Sequence, residues 1–541
     1  MSLKRLHIIF DRRLSAANFF EKALQVYGDK HFLDFDVPLE LDRRYPKITV
    51  SELIAVMNRA SNVLLEHGLQ RFDRVALLKA NDADYFVYGF AAVRAGGIAV
   101  PMNGGMQPHI VVDYLNYVGA TVVVLDRERL ERLEALDWRS RCPQVREVLV
   151  TDAPGPQGGS LPALLSRASD RFEPVALEPD EDVLIVHTSG TTGVPKGVLH
   201  TSGSYVAGLK GMLKVAIIPQ RLPIMSAFPF NHYIAYQGIG SALVGGNVGI
   251  LVSRPSGERM LELIQKLRPG VVFSFPHSLV EMYHHGMKQY DLDSVKLWMA
   301  GADCSHEAHI REFVRRGSLV KVFGKTLLPS LYIDNLGSSE VGFPAFHRIS
   351  SRYSTLYSRC IGKRMWSGPQ VKVADEHGQE LPPDHIGRLM VKGPTLFKGY
   401  WNSHDRLHGV VKDGWWWTGD VGYRDARGRY FHLDRDVDTV RTRTCAVSSL
   451  LLEEHILNHP KVSEAVVVGK RAADGSHVPF AYVQLRRDER AADAELLQWA
   501  RSGLPQGVDQ LELRIVVPEQ IPRGLTGKVL KRELRRQLDG A

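Results

Sequence analysis

Cysteine is scarce: 541 residues hold four, Cys142, Cys304, Cys360 and Cys445, and no two stand at CxxC spacing. That excludes a disulfide framework and a zinc ribbon, and it suits a reducing cytoplasm. No apolar run approaches the roughly 18 residues that a membrane helix needs. The N-terminal MSLKRLHIIFDRR has only a short apolar stretch, broken by Asp11, Arg12 and Arg13, so it does not read as a signal peptide. GxSxG and GxGxxG are both missing, which removes the usual support for a serine hydrolase or a dinucleotide fold. HEAH at His306–His309 has the wrong spacing for a zinc-protease helix. His455 and His459 have the right spacing but lack the intervening glutamate. Both pairs read as ordinary surface or capping residues.

Charge is nearly balanced. The excess is +8, enough to help attract anionic substrates such as nucleotides. No RNA- or DNA-binding motif accompanies it, so nucleic acid is not an expected partner. The basic run of Lys531, Arg532, Arg535 and Arg536 reads as a solvated helix face.

What is present is strand–helix alternation. Leu53, Val56, Met57, Ala60, Val63 and Leu64 recur at helical spacing, while RVALLK and TVVVLD read as short buried strands. Beyond the Pro/Gly-rich loop DAPGPQGGS (152–160) the alternation resumes with LIVHTS, VGILVS and VVFSF as strands and ERMLELIQKL as a helix. This predicts an α/β fold with mostly parallel sheets in a large N-terminal domain, 1–433. A small mobile α+β domain is expected over 434–541, ending in the loop PRGLTGK and a basic helix.

The most informative segment is VHTSGTTGVPKGVLHT (186–201), a strand running into a loop of Ser, Thr and Gly that ends in Lys196. Glycines let backbone approach phosphate oxygens, and hydroxyls, amides and the lysine supply donors and charge. The pattern is not GxxxxGK[ST]. It resembles the phosphate loop of the adenylate-forming superfamily, which comprises acyl- and aryl-CoA synthetases, peptide-synthetase adenylation domains and luciferases. Further segments resemble that superfamily in order: ITVSEL (48–53), VRAGGIAVPMN (93–103), FPFNHYIAYQ (228–237), MAGADCS (299–305), DNLGSSEVG (334–342), GRLMVKGPTLFKGYWN (387–402), DGWWWTGDVGY (413–423) and PRGLTGKVLKREL (522–534).

The resemblance implies an ATP-dependent ligase that turns a carboxylic acid into an acyl-AMP and then a CoA thioester. Thr188, Ser189, Gly190, Thr191, Thr192, Gly193 and Lys196 would hold phosphates. Glu340 would hold Mg²⁺. Asp420 and Arg435 would hold the ribose, and Arg435 would also reach phosphate. Lys528 would bridge the carboxylate and the α-phosphate, so Lys528, Glu340 and Arg435 form the expected catalytic set. Gly301, Ala302, Leu336, Gly337, Ser338 and Ser339 would flank the nucleoside. Phe230, Asn231, His232, Tyr233, Gly238, Gly301 and Asp303 would form the acyl pocket, with Gly238 and Gly240 leaving room for a bulky or elongated acid. An aryl, fatty or polycyclic acid is expected rather than an amino acid.

Four positions depart from the family pattern. Leu336 replaces an aromatic that stacks on adenine. The hinge reads DRDVD (434–438). The loop RTRTCAVSS (441–449) lacks the glycine past which a pantetheine arm runs. Arg388 replaces a glutamate. The adenylation residues are therefore complete while the thioester residues are altered. A carrier protein, an amine or another nucleophile stays open as the acceptor, as do a luciferase-like oxidation and a non-catalytic binding role. Cys445, in the altered loop, reads as a packing residue.

Overall fold

The computed structural model describes residues 2–39, 47–155, 160–188, 194–215, 218–403, 410–508, 510–524 and 527–539. Among these, one sheet runs in the order Gly399–Tyr400, Gly197–Thr201, Asp182–His187, Ile98–Pro101, Arg74–Leu78, Val122–Leu125, Glu147–Val150. From Asp182–His187 onward its strands are parallel, and the three running Ile98–Pro101, Val122–Leu125 and Glu147–Val150 are buried throughout. That burial explains why they read as unbroken aliphatic runs rather than alternating patterns.

A second, larger sheet has a parallel centre: Leu331–Leu336, Leu297–Gly301, Val271–Ser274, Ile224–Ser226, Gly249–Leu251 and His31–Phe35. Beyond Leu331–Leu336 it continues antiparallel through Phe346–Ser350, Cys360–Arg364, Tyr430–Arg435, Trp415–Arg424, Gly387–Lys392 and Gln370–Ala374. The parallel expectation thus describes the two sheet centres. The antiparallel extension has half-buried strands such as Trp415–Arg424, whose weak alternation hides them in the sequence.

Helices pack between the sheets. Val50–Glu66 starts on a capping box, with the Thr49 side chain accepting from Glu52 N and the Glu52 side chain from Thr49 N. It buries the apolar stripe seen in the sequence. Phe19, Phe20, Phe86, Phe90, Tyr205 and Tyr236 form one aromatic cluster between Phe19–Tyr27, Asp84–Arg94, Ser202–Val215 and Tyr233–Gly245. No described helix is long and apolar enough to cross a membrane.

The smaller domain has its own core around Val440, Leu452, Ile456, Val467, Ala481 and Val483. Its sheet pairs Val462–Arg471 with His477–Leu485 antiparallel, and the latter with Glu512–Ile515 parallel. Asp434 and Arg435 still pair within the large sheet, so the expected start at 434 falls inside a strand of the larger domain. The helix Lys531–Asp539 is not simply a solvated basic face. Lys531 turns inward to Glu453 and Ser449 at 2.7 Å each, and Arg535 pairs with Asp438 at 2.8 Å.

Nor are His306 and His309 ordinary surface residues: they join the domains. His306 Nδ1 lies 2.8 Å from Glu454 Oε2, the Glu307 amide donates to Glu454 Oε1 at 2.6 Å, and His309 Nε2 donates to the Ser463 carbonyl at 3.2 Å. Burial opposes the charge on Glu454, but His306 and Arg359 bring its carboxyl down to about 2.

Candidate active site

The strands Asp182–His187 and Gly197–Thr201 form an antiparallel pair whose connection is the phosphate-loop segment. Thr188 N donates to the Lys196 carbonyl at 3.0 Å, closing that loop at its base. Ser189, Gly190, Thr191, Thr192 and Gly193 lie outside the described residues. His187 is buried and neutral, its pKa held down at about 4 by burial. Its Nε2 accepts from Asn103 N at 3.1 Å, so Nδ1 carries the proton donated to the Thr188 carbonyl at 3.2 Å. The Lys196 ammonium sits 4.8 Å from the centre of the Tyr400 ring, and the Tyr400 hydroxyl donates to Glu340 Oε1 at 3.1 Å. Strand pairing of Gly399–Tyr400 with Val198 and Leu199 places that ring. Lys196 and Glu340 thus meet through Tyr400, which lies within the GRLMVKGPTLFKGYWN segment without having been singled out.

Ala302 follows the strand Leu297–Gly301 in the left-handed region, φ 69°, a conformation costly for a residue with a side chain. It turns the chain beside Gly337, Ser338 and Ser339, which follow the neighbouring strand Leu331–Leu336. His200, buried and neutral at about 4, donates from Nε2 to the Ser339 carbonyl at 2.8 Å and stacks on Tyr233 at 4.0 Å. Leu336 is buried at the strand end and offers no aromatic face. On the antiparallel extension, Asp420 stands opposite Arg435, Oδ1 to Nε 3.5 Å, and His432 Nε2 lies 3.4 Å from the same oxygen. Burial pushes the Asp420 carboxyl up, but His432 and Arg435 outweigh it and leave the pKa lowered. His432, buried on the strand Tyr430–Arg435, carried no signal in the sequence.

Between these two halves lies an apolar pocket of about 60 Å³, bordered by Met212, His232, Tyr233, Gln237, Gly238, Phe273, Gly301, Ala302 and Phe343. A water needs about 10–15 Å³ on this measure, so the space equals about four to six waters, the size of one small ring. A methyl on Gly238 would meet nothing within 4 Å, whereas one on Gly240 would come within 2.4 Å of the Tyr205 hydroxyl. Gly240 is therefore a packing glycine, and the expectation of room for a bulky or elongated acid fails there. Phe230, Asn231 and Asp303 do not border this pocket, Asp303 standing one residue beyond Ala302. Phe230 is buried in the core, and Asn231 faces a separate polar cavity of about 380 Å³ with Lys79, Asn81, Asn103 and Arg129. Met212, Phe273 and Phe343 were not foreseen, although Phe343 follows the Glu340 motif closely.

Two polar groups mark the pocket's ends. Gln237 accepts from the Tyr233 hydroxyl at 3.3 Å, and its buried Nε2 has no partner. His232 caps the helix Tyr233–Gly245 by accepting from Ile234 N at Nδ1, which puts its proton on Nε2. Burial, then the Lys528 charge, holds His232 neutral at about 3. Lys528 itself reaches in from the smaller domain, its Nζ 3.5 Å from Asp303 Oδ2. Burial would raise the Asp303 carboxyl, but Lys528, then His432 and Arg359, pull it down to about 2.

Comparison with known proteins gives the family. Residues 20–401 match the model of the AMP-binding enzyme family, and residues 451–528 match that of the AMP-binding enzyme C-terminal domain. The chain belongs to the AMP-binding enzyme family. It is an ATP-dependent, adenylate-forming member. Among its relatives, a 3-aminoavenalumate diazotase from Streptomyces sp. is 32% identical over 98% of this chain and 97% of its own. A 3-hydroxybenzoate–CoA ligase from Aromatoleum sp. (strain CIB) is 26% identical over 91% and 92%. The ATP-bound chimera RpMatB-BxBclM B3 superposes with a TM-score of 0.82 at 25% identity, covering 97% of this chain and 99% of that one.

Proposed function

We propose that this AMP-binding enzyme adenylates a single-ring aromatic carboxylic acid and passes the acyl group to a second substrate. The observation that carries the reading is Lys528 standing 3.5 Å from Asp303, within electrostatic reach of His232 on the ring-sized pocket. Adenylation brings a carboxylate to an anionic phosphate, and the obstacle is charge repulsion rather than a missing nucleophile. Lys528 would neutralise both partners at the reacting centre. The His232 Nε2–H would orient the carboxylate. Lys196, with the Thr188–Gly193 segment, would hold the outgoing pyrophosphate, and Asp420 with Arg435 the ribose. Glu340 offers the hard oxygen donor that Mg²⁺ prefers, and among the described residues no cluster of three His, Cys, Asp or Glu could hold a metal alone. That suits an ion shared with ATP phosphates, which would supply charge neutralisation at the transferring group. The likeness to a 3-hydroxybenzoate–CoA ligase supports a hydroxy-substituted benzoate as the acid.

For the second substrate, CoA is the reading that the family resemblance favours. The loop 441–449, where the family resemblance implies a glycine beside the pantetheine arm, has none, and its Thr444 hydroxyl donates to the Gly507 carbonyl at 3.0 Å. That observation favours an amine, reached without a pantetheine tunnel; a carrier protein would meet the same obstacle as CoA. The likeness to a 3-aminoavenalumate diazotase supports nitrogen chemistry too. The test is acid-dependent exchange of pyrophosphate into ATP across substituted benzoates and fatty acids. Exchange with monocyclic hydroxybenzoates supports the reading, and exchange with none of the aromatic acids refutes it.

A further inference from the structure

Asp303 follows the left-handed Ala302 at the end of the strand Leu297–Gly301, and Ala302 borders the apolar pocket. It is an ionised carboxylate where adenylation brings together two further anions, the acid and the phosphate. Such a group hinders the first step unless it is neutralised, and here Lys528 neutralises it from the smaller domain. The contacts that hold that domain in place are mainly polar: Glu454 with His306 and Glu307, and His309 with Ser463. Polar interfaces of this kind permit relative domain motion. When Lys528 withdraws, Asp303 is left next to Ala302 at the pocket's border, with the Arg359 guanidinium as its remaining cationic neighbour.

The Lys528 nitrogen is itself a primary amine seated against Asp303. We infer that the acceptor is a primary amine whose nitrogen takes the place that Lys528 Nζ vacates, with Asp303 as its hydrogen-bond acceptor and base. The amine nitrogen would attack the carbonyl carbon of the adenylate and form the C–N bond. The C–O bond to the phosphate would break, and AMP would leave with the electron pair. One N–H proton would pass to the Asp303 carboxylate and on to water. The same carboxylate discriminates against a thiol, because the reactive form of a thiol is an anion and would stand beside a like charge.

This inference rests on the adenylation reading, and the experiment separates the two. Pyrophosphate exchange is measured first, and the acid giving the fastest exchange is converted chemically to its adenylate. That adenylate is supplied to the full-length enzyme with benzylamine or aniline on one side and CoA or pantetheine on the other. The wild type is expected to form amide faster than thioester. Asp303→Asn is expected to lower the amide-to-thioester ratio about 100-fold, and Asp303→Glu, which keeps the charge, to retain most of it. A ratio unchanged in Asp303→Asn, or a wild type that makes thioester only, overturns the inference while leaving the exchange result intact. Absence of exchange with every acid overturns the adenylation reading instead. Because the ratio is internal to each preparation, partial misfolding of a variant cancels from it.

Discussion

Replacing Gly238 by alanine separates the pocket from the fold. Gly238 lies inside the helix Tyr233–Gly245, where glycine costs about 0.5–1 kcal/mol relative to alanine. The added methyl meets no atom within 4 Å, so that cost is recovered without a clash and Gly238→Ala is expected to raise Tm slightly. The methyl enters a space of about 60 Å³. One carbon in an apolar pocket is worth about 1–3 kcal/mol of discrimination, or about 10–200-fold. The ratio of kcat/KM for unsubstituted over hydroxy-substituted benzoate, read by pyrophosphate exchange, should therefore rise by about that factor. Gly240→Ala is the control. Its methyl would press within 2.4 Å of the Tyr205 hydroxyl and 3.0 Å of Leu209. Overpacking costs about 1–3 kcal/mol, more than the helix gain, so Tm should fall with the acid preference unchanged. A Gly238→Ala enzyme with lower Tm, or with the wild-type acid preference, would refute the placement of the pocket.

Other perturbations test the site and its hinge. Lys528→Gln should lower acid-dependent pyrophosphate exchange by at least about 100-fold, the usual cost of losing a preorganised donor at developing charge; a loss under tenfold would remove Lys528 from the chemistry. Thr444→Gly should raise kcat/KM for CoA by about tenfold or more, since one obstructing side chain in a channel costs that much, and no gain would show that the loop does not limit thiol access. The Glu454 carboxyl is depressed in the folded protein, from an ordinary value of 4.5 to about 2. Its stabilisation is thus complete above about pH 4.5 and lost as the pH falls toward 2. Glu454→Gln should flatten the acid side of the Tm–pH curve in that window, and a curve parallel to that of the wild type would refute the role of Glu454 in docking.

Linear motifs were legible because their chemistry is local. A Ser/Thr/Gly loop ending in Lys196, the Glu340 motif, the Asp420 turn and the Lys528 loop each announce themselves in a few consecutive residues, and their order identified the family. Buried strands of the two parallel centres were equally plain, since burial on both faces leaves an aliphatic run. Residues whose meaning lies in a distant partner were not. Tyr400 links Lys196 to Glu340 only because a two-residue strand pairs with Val198 and Leu199. His432 reaches Asp420 only across a sheet pairing. His306 and the basic terminal helix read as surface because their acidic partners, Glu454, Glu453 and Asp438, lie about 80–150 positions away along the chain.

The amino-acid sequence by itself determined the family and its adenylate-forming class, since the motifs that carry them are side-chain types held within single turns and loops. The size of the apolar pocket, the difference between Gly238 and Gly240, and the meeting of Lys528 with Asp303 were decided only by the tertiary structure. Each depends on how close two elements approach in space. Packing distances of a few ångströms between residues hundreds of positions apart leave no periodic trace along the chain.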